Sequence, residues 1–304
     1  MNKSLAAQLV LLFVTAVWGS SFIVANVAFD LGVDPLFMIA FRFIIGAILM
    51  FAVFAKTIIK HIDQTTIVRG AILGVLFFVA FFFQLTGLTK TTPAMNSMIT
   101  SGHIIFVPLV TWIFTKIRPH RINFIACAIS LVGIIVITLD PSEGFAIRSG
   151  EILSLLGAIT FSFQVVMLSL MCRESEYRTL IFVQFVVAGI LSLIVYAITD
   201  GDFSYLGNLN AMLPVLFLGI VCTFVCFLLE GWCFQYLDAT RASLIVTTEA
   251  IFASIFSLIL GMDVFTWQLL VGAILLFGSI ILMEVVTTRN QKKLLRQENG
   301  RKEA

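Results

Sequence analysis

The chain has 304 residues, of which 60% are hydrophobic and only 12% are charged, and its mean hydropathy is +1.07. A soluble domain of this length needs a far larger charged fraction to cover its surface, so the composition excludes an ordinary water-soluble protein. The uncharged runs reach the roughly 20 residues that a helix needs to cross hydrocarbon, and they are too long and too uniformly apolar for barrel strands. We therefore predict an all-α integral membrane protein.

The apolar runs predict ten transmembrane helices, five in each half of the chain. The first five are Leu5–Phe29, Pro35–Phe54, Val68–Leu88, Pro93–Phe114 and Ile122–Leu139. The last five are Gly150–Met171, Thr179–Thr199, Ala211–Tyr236, Thr240–Leu260 and Thr266–Val286. The first run is too long for the core of a signal peptide, so we expect it to be a retained helix. Pro108 predicts a kink in the fourth helix.

The Lys and Arg residues orient these helices. Of the 19 Lys and Arg, all but Arg42, Lys90 and Arg148 fall on the side that holds both termini. Because positive residues concentrate on the cytoplasmic side, we predict a multi-pass protein of the inner or plasma membrane with its N- and C-termini in the cytoplasm. The basic segment 287–304 is expected to be a solvated cytoplasmic tail, with contact to lipid headgroups as the alternative. Nothing in the charge pattern indicates nucleic-acid binding.

The sequence offers no motif for a catalytic centre, a metal site or a cofactor. The five cysteines lie in or at the ends of apolar runs and form no CxxC pair, which argues against a zinc site. A Walker-type phosphate loop, a His-Glu-x-x-His motif and a Gly-x-Ser-x-Gly motif are all absent from the sequence. We therefore expect a protein that is not an enzyme and that binds no cofactor.

The two halves repeat the same polar positions. Thr92–Ala94 aligns with Thr240–Ala242, and Thr100-Ser101 then falls on Thr248-Glu249. Because five helices per half is an odd number, the halves must insert in opposite directions. Inverted repeats of this kind place a site between the halves near the membrane midplane and permit alternating access. The predicted units are a first five-helix repeat, 1–145, a second, 146–286, and the tail, 287–304.

Charged side chains inside the predicted helices are candidate site residues, because each must face a cavity, find a partner or stay neutral. Glu249, near the middle of helix nine, could hold and release a proton, and the alternative is a structural hydrogen bond to another helix. Glu230 in helix eight could line a vestibule or reach the membrane interface. Arg42 could bind a carboxylate or phosphate, pair with an Asp of an outer loop, or extend to the interface.

Uncharged polar and aromatic residues supply the other candidates. Asn96, Thr100 and His103 share a face of helix four, which is typical of a cavity wall, although a structural role for His103 is an equal alternative. Most of the 30 Phe must pack or face lipid, and one or two could give a substrate a flat apolar wall. The remaining candidates are Trp18, Phe22 and Asn26 on one face of helix one, Gln84, Gln164, and Thr248 beside Glu249.

The order of several short motifs resembles the EamA-type branch of the drug/metabolite transporter superfamily. These motifs are Ala16–Ile23, Pro35, Phe41–Phe43, Thr248–Ala250, Gly261 and Thr266–Gln268. The likeness extends to about Val286 and implies a ten-helix inverted-repeat transporter whose central cavity is lined mainly by helices 1, 3, 4, 6, 8 and 9. It also implies transport of small metabolites, often amino acids. The chain departs from the family where Met262-Asp263 follows the glycine that ends helix nine, a place where relatives usually have Glu.

These observations predict a secondary transporter that exports amino acids or related amphipathic compounds by alternating access. Its expected partners are a small-molecule substrate, the lipid bilayer and, through Glu249, protons as the coupling ion. The alternative is a flippase for a lipid or a lipid-linked sugar, which the Phe-rich helices would tolerate. The sequence leaves the oligomeric state open.

Overall fold

The structure is a computed structural model that describes most of the chain up to residue 286. The described residues are 3–116, 118, 121–137, 139–140, 144–145, 148–172, 174–237, 242, 245–275, 277–279, 281–282 and 285–286. The predicted basic tail, 287–304, and the aligned positions Thr240 and Arg241 therefore lie outside the described residues.

The described residues are almost entirely helical. The first half contains α1 (Lys3–Asp30), α2 (Pro35–His61), α3 (Gln64–Leu88), α4 (Pro93–Ser101), α5 (His103–Thr115) and α6 (Arg121–Ile137). The second half contains α7 (Ser149–Met171), α8 (Tyr177–Ile198), a 3-10 turn (Phe203–Gly207), α9 (Leu209–Phe217), a π-helical segment (Leu218–Val225), α10 (Cys226–Phe234), α11 (Thr248–Ile259) and a last apolar helix, Trp267–Ser279. Between the halves, β1 (Leu139–Asp140) pairs antiparallel with β2 (Gly144–Phe145), a small addition to the predicted all-α fold.

Seven helices in the described part of the chain are long and apolar enough to cross a membrane. They are Lys3–Asp30, Pro35–His61, Gln64–Leu88, Pro93–Thr115, Ser149–Met171, Tyr177–Ile198 and Leu209–Phe234. Three shorter apolar helices, Phe124–Gly133, Thr248–Ile259 and Trp267–Ser279, lie within the other three predicted spans. The chain is thus a multi-pass helical membrane protein, and the number of ten complete spans stays a prediction.

Short polar connections set where the first helices begin. The Asp34 carboxylate accepts a hydrogen bond from the Leu36 amide at 2.7 Å, and Pro35 occupies the first turn of α2. The Asp63 carboxylate likewise accepts from the Thr66 amide at 2.7 Å at the start of α3. These caps satisfy amides that have no partner within the helix. Each of these helices therefore begins within a few residues of the end of the one before it.

Two of the crossing helices are locally irregular. At Gly102, between α4 and α5, the Gly102 amide donates to the Ile99 carbonyl at 3.1 Å and the Ile105 amide donates to the Gly102 carbonyl at 3.1 Å. These are the tighter i to i+3 bonds of a 3-10 turn. The interruption thus precedes Pro108, where the sequence predicted a kink, and Pro108 itself lies inside α5. The second irregular stretch is the π-helical segment, which joins α9 to α10.

Helices from opposite halves pack closely. Contacts join α2 to α8, α3 to α7 and α8, and α1 to α11. Where α3 meets α8, a Cβ on Gly74 would lie 2.7 Å from the Val187 Cβ and 2.9 Å from the Gln184 carbonyl oxygen. A Cβ on Gly70 would lie 2.5 Å from the Val183 Cβ. The pair Gly70 and Gly74 therefore lets two helices approach closely, as small residues do in membranes.

Candidate functional site

A cavity lies between the two halves of the protein. Its wall contains residues of α1, α2, α3, α4, α5, α7, α10 and α11. These elements include the helices that the family resemblance implied, and α2 is added because Arg42 reaches the cavity. The residues that line this central cavity are Trp18, Ser21, Phe22, Arg42, Phe77, Phe81, Gln84, Thr100, His103, Phe161, Gln164, Val165, Phe227, Glu230, Val246 and Glu249.

Most of the candidates chosen from the sequence meet in this cavity. They are Trp18, Phe22, Arg42, Gln84, Thr100, His103, Gln164, Glu230 and Glu249. Their sequence positions span almost the whole chain, so the fold brings together side chains from both halves. This convergence of polar groups in an otherwise apolar cavity is what a small-molecule site requires.

Asn96 and Thr248 do not line the central cavity, because their side chains form hydrogen bonds within and between the packed helices. The Asn96 amide donates to the Gln84 carbonyl at 3.1 Å and to the Ser154 hydroxyl at 2.7 Å. Asn96 thus joins α4 to α3 and α7. It does not line the cavity beside Thr100 and His103, as the sequence had predicted. The Thr248 hydroxyl donates to the Ile245 carbonyl at 2.7 Å and lies 3.0 Å from the hydroxyl oxygen of a threonine in α1.

Asn26 faces a separate, more open pocket at the end of the bundle where α1 turns into α2. Its amide lies 3.5 Å from the Asp30 carboxylate, and both residues line that pocket with Asp34 and Tyr205. Asn26 is about one turn along α1 from Phe22, so it continues the predicted face of α1 but lies beyond the central cavity.

Arg42 is held inside the protein by a hydroxyl and an aromatic ring. Its side chain is buried, with the residue only 2% exposed, and its Nε donates to the Thr223 hydroxyl at 3.0 Å. The guanidinium carbon lies 4.5 Å from the centre of the Phe81 ring, which allows a cation–π interaction. Two alternatives raised from the sequence, pairing with an outer-loop Asp and extension to the interface, are therefore wrong.

The π-helical segment supplies acceptors to two different helices. Cys222 accepts a hydrogen bond on its carbonyl oxygen from the Trp18 indole at 2.8 Å. The next residue, Thr223, accepts the bond from Arg42. Neighbouring residues of one segment thus fix a cavity residue of α1 and a cavity residue of α2. Single π-helical turns inside α-helices are frequent at functional sites.

Two carboxylates also border the cavity. Glu230 is buried, with its Oε2 atom unpartnered among the described residues. Glu249 lies in the first turn of α11, where α1 comes so close that a Cβ on Gly19 would lie 3.0 Å from the Glu249 carbonyl oxygen. Glu249 interacts electrostatically with both Glu230 and Arg42. The cavity therefore holds two acids and one arginine, and Glu249 interacts electrostatically with each of the other two.

Two further polar side chains of the cavity have nitrogen atoms available to bind a ligand. The Nδ1 atom of His103 lies 3.1 Å from the Thr100 carbonyl oxygen, while its buried Nε2 has no hydrogen-bond partner in the described part of the chain. The same holds for the buried Nε2 of Gln164. Buried polar atoms are normally paired, so such atoms are suited to contact a polar ligand.

Aromatic side chains form the apolar wall of the cavity. The ring centres of Phe77 and Phe227 lie 4.8 Å apart, and those of Phe81 and Phe161 lie 5.2 Å apart. Trp18 packs on Phe227 at 4.8 Å. The sequence allowed one or two Phe to form such a wall and named Phe22, whereas five Phe line the cavity. The other four could not be chosen, because Phe is so abundant in the apolar runs that it carries no signal. Thr223 was also missed, since an isolated Thr in a helix indicates nothing by itself.

Metal binding has no structural basis in the described residues. No group of three or more His, Cys, Asp and Glu side chains there is placed to hold a metal ion. The polar groups of the cavity are instead separated by aromatic rings, an arrangement suited to an organic molecule.

A multi-pass helical membrane protein with such a cavity between its halves belongs to the class of membrane transporters. Comparison with known families agrees with this class. The sequence pattern of the EamA-like transporter family matches residues 5–139 and again residues 148–285, and the chain belongs to that family.

Individual relatives are transporters as well. The chain is 29% identical over 283 residues to a protein of Archaeoglobus fulgidus named "Uncharacterized transporter", covering 93% of this chain and 87% of the relative. It is 24% identical over 267 residues to "Uncharacterized transporter YdfC" of Bacillus subtilis, covering 86% of each chain. A solved crystal structure with 15% sequence identity has the same fold, with a TM-score of 0.71 over 93% of this chain and 98% of the other.

Proposed function

We propose that this protein is a secondary transporter that exports small amphipathic metabolites, amino acids or related compounds, through its central cavity. The observation that carries the proposal is the composition of that cavity. Arg42 offers a guanidinium, Glu230 and Glu249 offer carboxyl groups, and Trp and Phe rings line the same cavity. A small molecule with a charged end and an apolar body would find a partner for each part.

Alternating access between two inverted repeats is the mechanism that fits this architecture. The family pattern matches each half separately. The contacts between halves also occur in pairs related by exchange of the halves: α3 packs on α7 as α10 packs on α1, and α5 packs on α7 as α11 packs on α1. A tightened turn precedes α11 as one precedes α5, with the Ala250 amide donating to the Thr247 carbonyl at 3.2 Å. These pairings support the repeats 1–145 and 146–286 in a ten-helix bundle.

Polar contacts join elements at both ends of the bundle, where a transporter that alternates access needs contacts that form and break. At the end where α1 meets α2, the Asp263 carboxylate accepts from the Ala94 amide at 3.0 Å, so the acid that departs from the family pattern caps α4. At the opposite end, Arg69 of α3 lies 2.5 Å from Glu174, which follows α7. With both termini in the cytoplasm of an inner or plasma membrane, the Asp263 contact is external and the Arg69 contact is internal.

Transport with purified protein in liposomes tests the proposal. A thermal-shift screen against a metabolite library first selects ligands, because a ligand that binds the folded state raises the melting temperature. We expect at least one selected solute to cross the liposome membrane only when the protein is present. A labelled phospholipid in parallel liposomes tests the competing function: lipid movement without solute movement would identify a flippase and refute a metabolite transporter.

Proton coupling through Glu249 is part of the proposal. A carboxylate at this depth favours protonation unless a partner is near, so it can exchange protons with a passing substrate. We expect Glu249→Gln to remove the response of solute flux to an imposed pH gradient. Glu151→Gln is the matched control, since Glu151 is a buried acid of α7 that does not line the cavity. If solute flux responds equally to the pH gradient in wild type and in Glu249→Gln, Glu249 does not couple transport to protons.

A further inference from the structure

The guanidinium of Arg42 is fixed in place but retains unused donors. Its Nε bond to Thr223 is the hydrogen bond that it makes with described residues, and its guanidinium carbon lies 4.5 Å from the centre of the Phe81 ring. None of the described acidic residues lies within ion-pair distance of it. Arg42 nevertheless lines the central cavity while being only 2% exposed. The two terminal nitrogens therefore have no protein partner in the described part of the chain.

The geometry of these contacts leaves one recognition edge available. A guanidinium is planar, and its five N–H donors lie in that plane. Thr223 uses the Nε donor, and the guanidinium carbon lies over the Phe81 ring, 4.5 Å from its centre. The edge between the two terminal nitrogens is left to bind a carboxylate with two parallel hydrogen bonds. A group held by two such contacts is already oriented before a ligand arrives.

The other charges of the cavity select among anions. Glu230 and Glu249 interact electrostatically with one another, and Glu249 also with Arg42. A multiply charged anion such as phosphate would be repelled by both acids. A single carboxylate, by contrast, is matched by the one guanidinium, and a cationic group on the same molecule would be matched by the acids.

We infer that Arg42 is a carboxylate-binding subsite of the central cavity and that Thr223 is its positioning residue, so that the transporter selects molecules with one free carboxylate. This inference rests on the proposed function and adds the chemical group by which a substrate is chosen. Thr223 acts through Arg42 rather than by touching the substrate. Its location in the π-helical segment, directly after the residue that binds Trp18, places the acceptor opposite α2.

Three probes with the same phenyl group test the carboxylate requirement. They are L-phenylalanine, L-phenylalaninamide, which lacks the carboxylate, and 3-phenylpropionate, which lacks the ammonium group. The phenyl group is chosen because the wall of the cavity is aromatic. We expect the purified protein to bind L-phenylalanine at least about tenfold more tightly than the amide, since hydrogen bonds to charged groups are the stronger ones. Affinities are measured by titrated thermal shift and by calorimetry.

Variants of Thr223 test the positioning role. Thr223→Val removes the acceptor at nearly constant volume, and we expect the acid-to-amide affinity ratio to fall about fivefold or more while affinity for the amide is kept, as loss of an oriented charge-assisted bond implies. Thr223→Ser keeps the hydroxyl and should restore the ratio. Thr160→Val is the matched control, because the Thr160 hydroxyl bonds only within α7 and lies off the cavity.

Three results would overturn the inference. The first is equal affinity for L-phenylalanine and its amide, the second is an unchanged ratio in Thr223→Val, and the third is the absence of binding by both carboxylate probes at millimolar concentration. If the amide crosses the liposome membrane as fast as the acid, the carboxylate subsite is refuted but the proposed transport function is not. Lipid movement without any solute flux would instead remove the proposed function itself.

Discussion

The interface between α3 and α8 and the central cavity are both built where the two halves meet, yet they have opposite character. At the interface, Gly70 and Gly74 bring α3 so close to Val183 and Val187 that no further atom fits. In the cavity, charged and polar side chains lie among aromatic rings, and several of their atoms lack a partner among the described residues. We therefore expect substitutions at the interface to change stability and substitutions in the cavity to change ligand binding.

The largest expected effect is on the interface side. Gly74→Leu forces a side chain into a space where a Cβ alone would lie 2.7 Å from the Val187 Cβ. We expect a loss of about 3 kcal/mol or more, at the upper end of the usual overpacking cost, seen as aggregation or a strongly lowered melting temperature in detergent. Gly207→Leu is the control, because nothing lies within 4 Å of a Cβ at Gly207. Equal melting temperatures for the two variants would contradict the assignment of stability to this interface.

The same contrast explains how much could be predicted from the sequence. Hydropathy and the Gly70/Gly74 spacing depend on local residues, so the crossing helices and this packing motif were predictable. The interruption of the fourth helix was misplaced, because Pro108 is a strong local signal whereas the effect of Gly102 depends on the helices around it. Asn96 was predicted for the cavity but pairs with Ser154, a contact that only the folded arrangement of α4 and α7 creates.

The π-helical segment marks the limit of such prediction. Apart from Thr223 its residues are small or apolar and give no local sign of a widened turn, so the acceptors for Trp18 and Arg42 could not be assigned from the sequence. Arg42 and Glu249 were still found, because an ionisable residue in an apolar run is conspicuous without knowledge of its neighbours. The sequence therefore predicted the charges of the cavity better than the contacts that orient them.

An intermediate loss of stability is expected at Trp18, which both lines the cavity and forms a hydrogen bond between helices. Trp18→Phe keeps an aromatic ring near Phe227 but removes the indole donor to the Cys222 carbonyl. We expect a loss of about 1–2 kcal/mol, because a buried acceptor loses its partner, together with weaker binding of any ligand that contacts the ring. The melting temperature and the ligand affinity are measured on the same preparation. A change in affinity with no change in stability would assign Trp18 to the cavity alone.

The smallest expected effect on stability belongs to an acid of the cavity. Glu230→Gln keeps the shape of a buried side chain whose Oε2 has no partner among the described residues, so the substitution removes no hydrogen bond between that atom and those residues. We expect the melting temperature to stay the same or rise slightly, since a neutral amide costs less than a carboxylate inside a membrane. Affinity for a cationic or zwitterionic ligand should fall, because one of the two acids that would face its positive group is gone. A destabilisation as large as that of Gly74→Leu would show that Glu230 contributes to helix packing. It would contradict the contrast between a stabilising interface and a ligand-binding cavity.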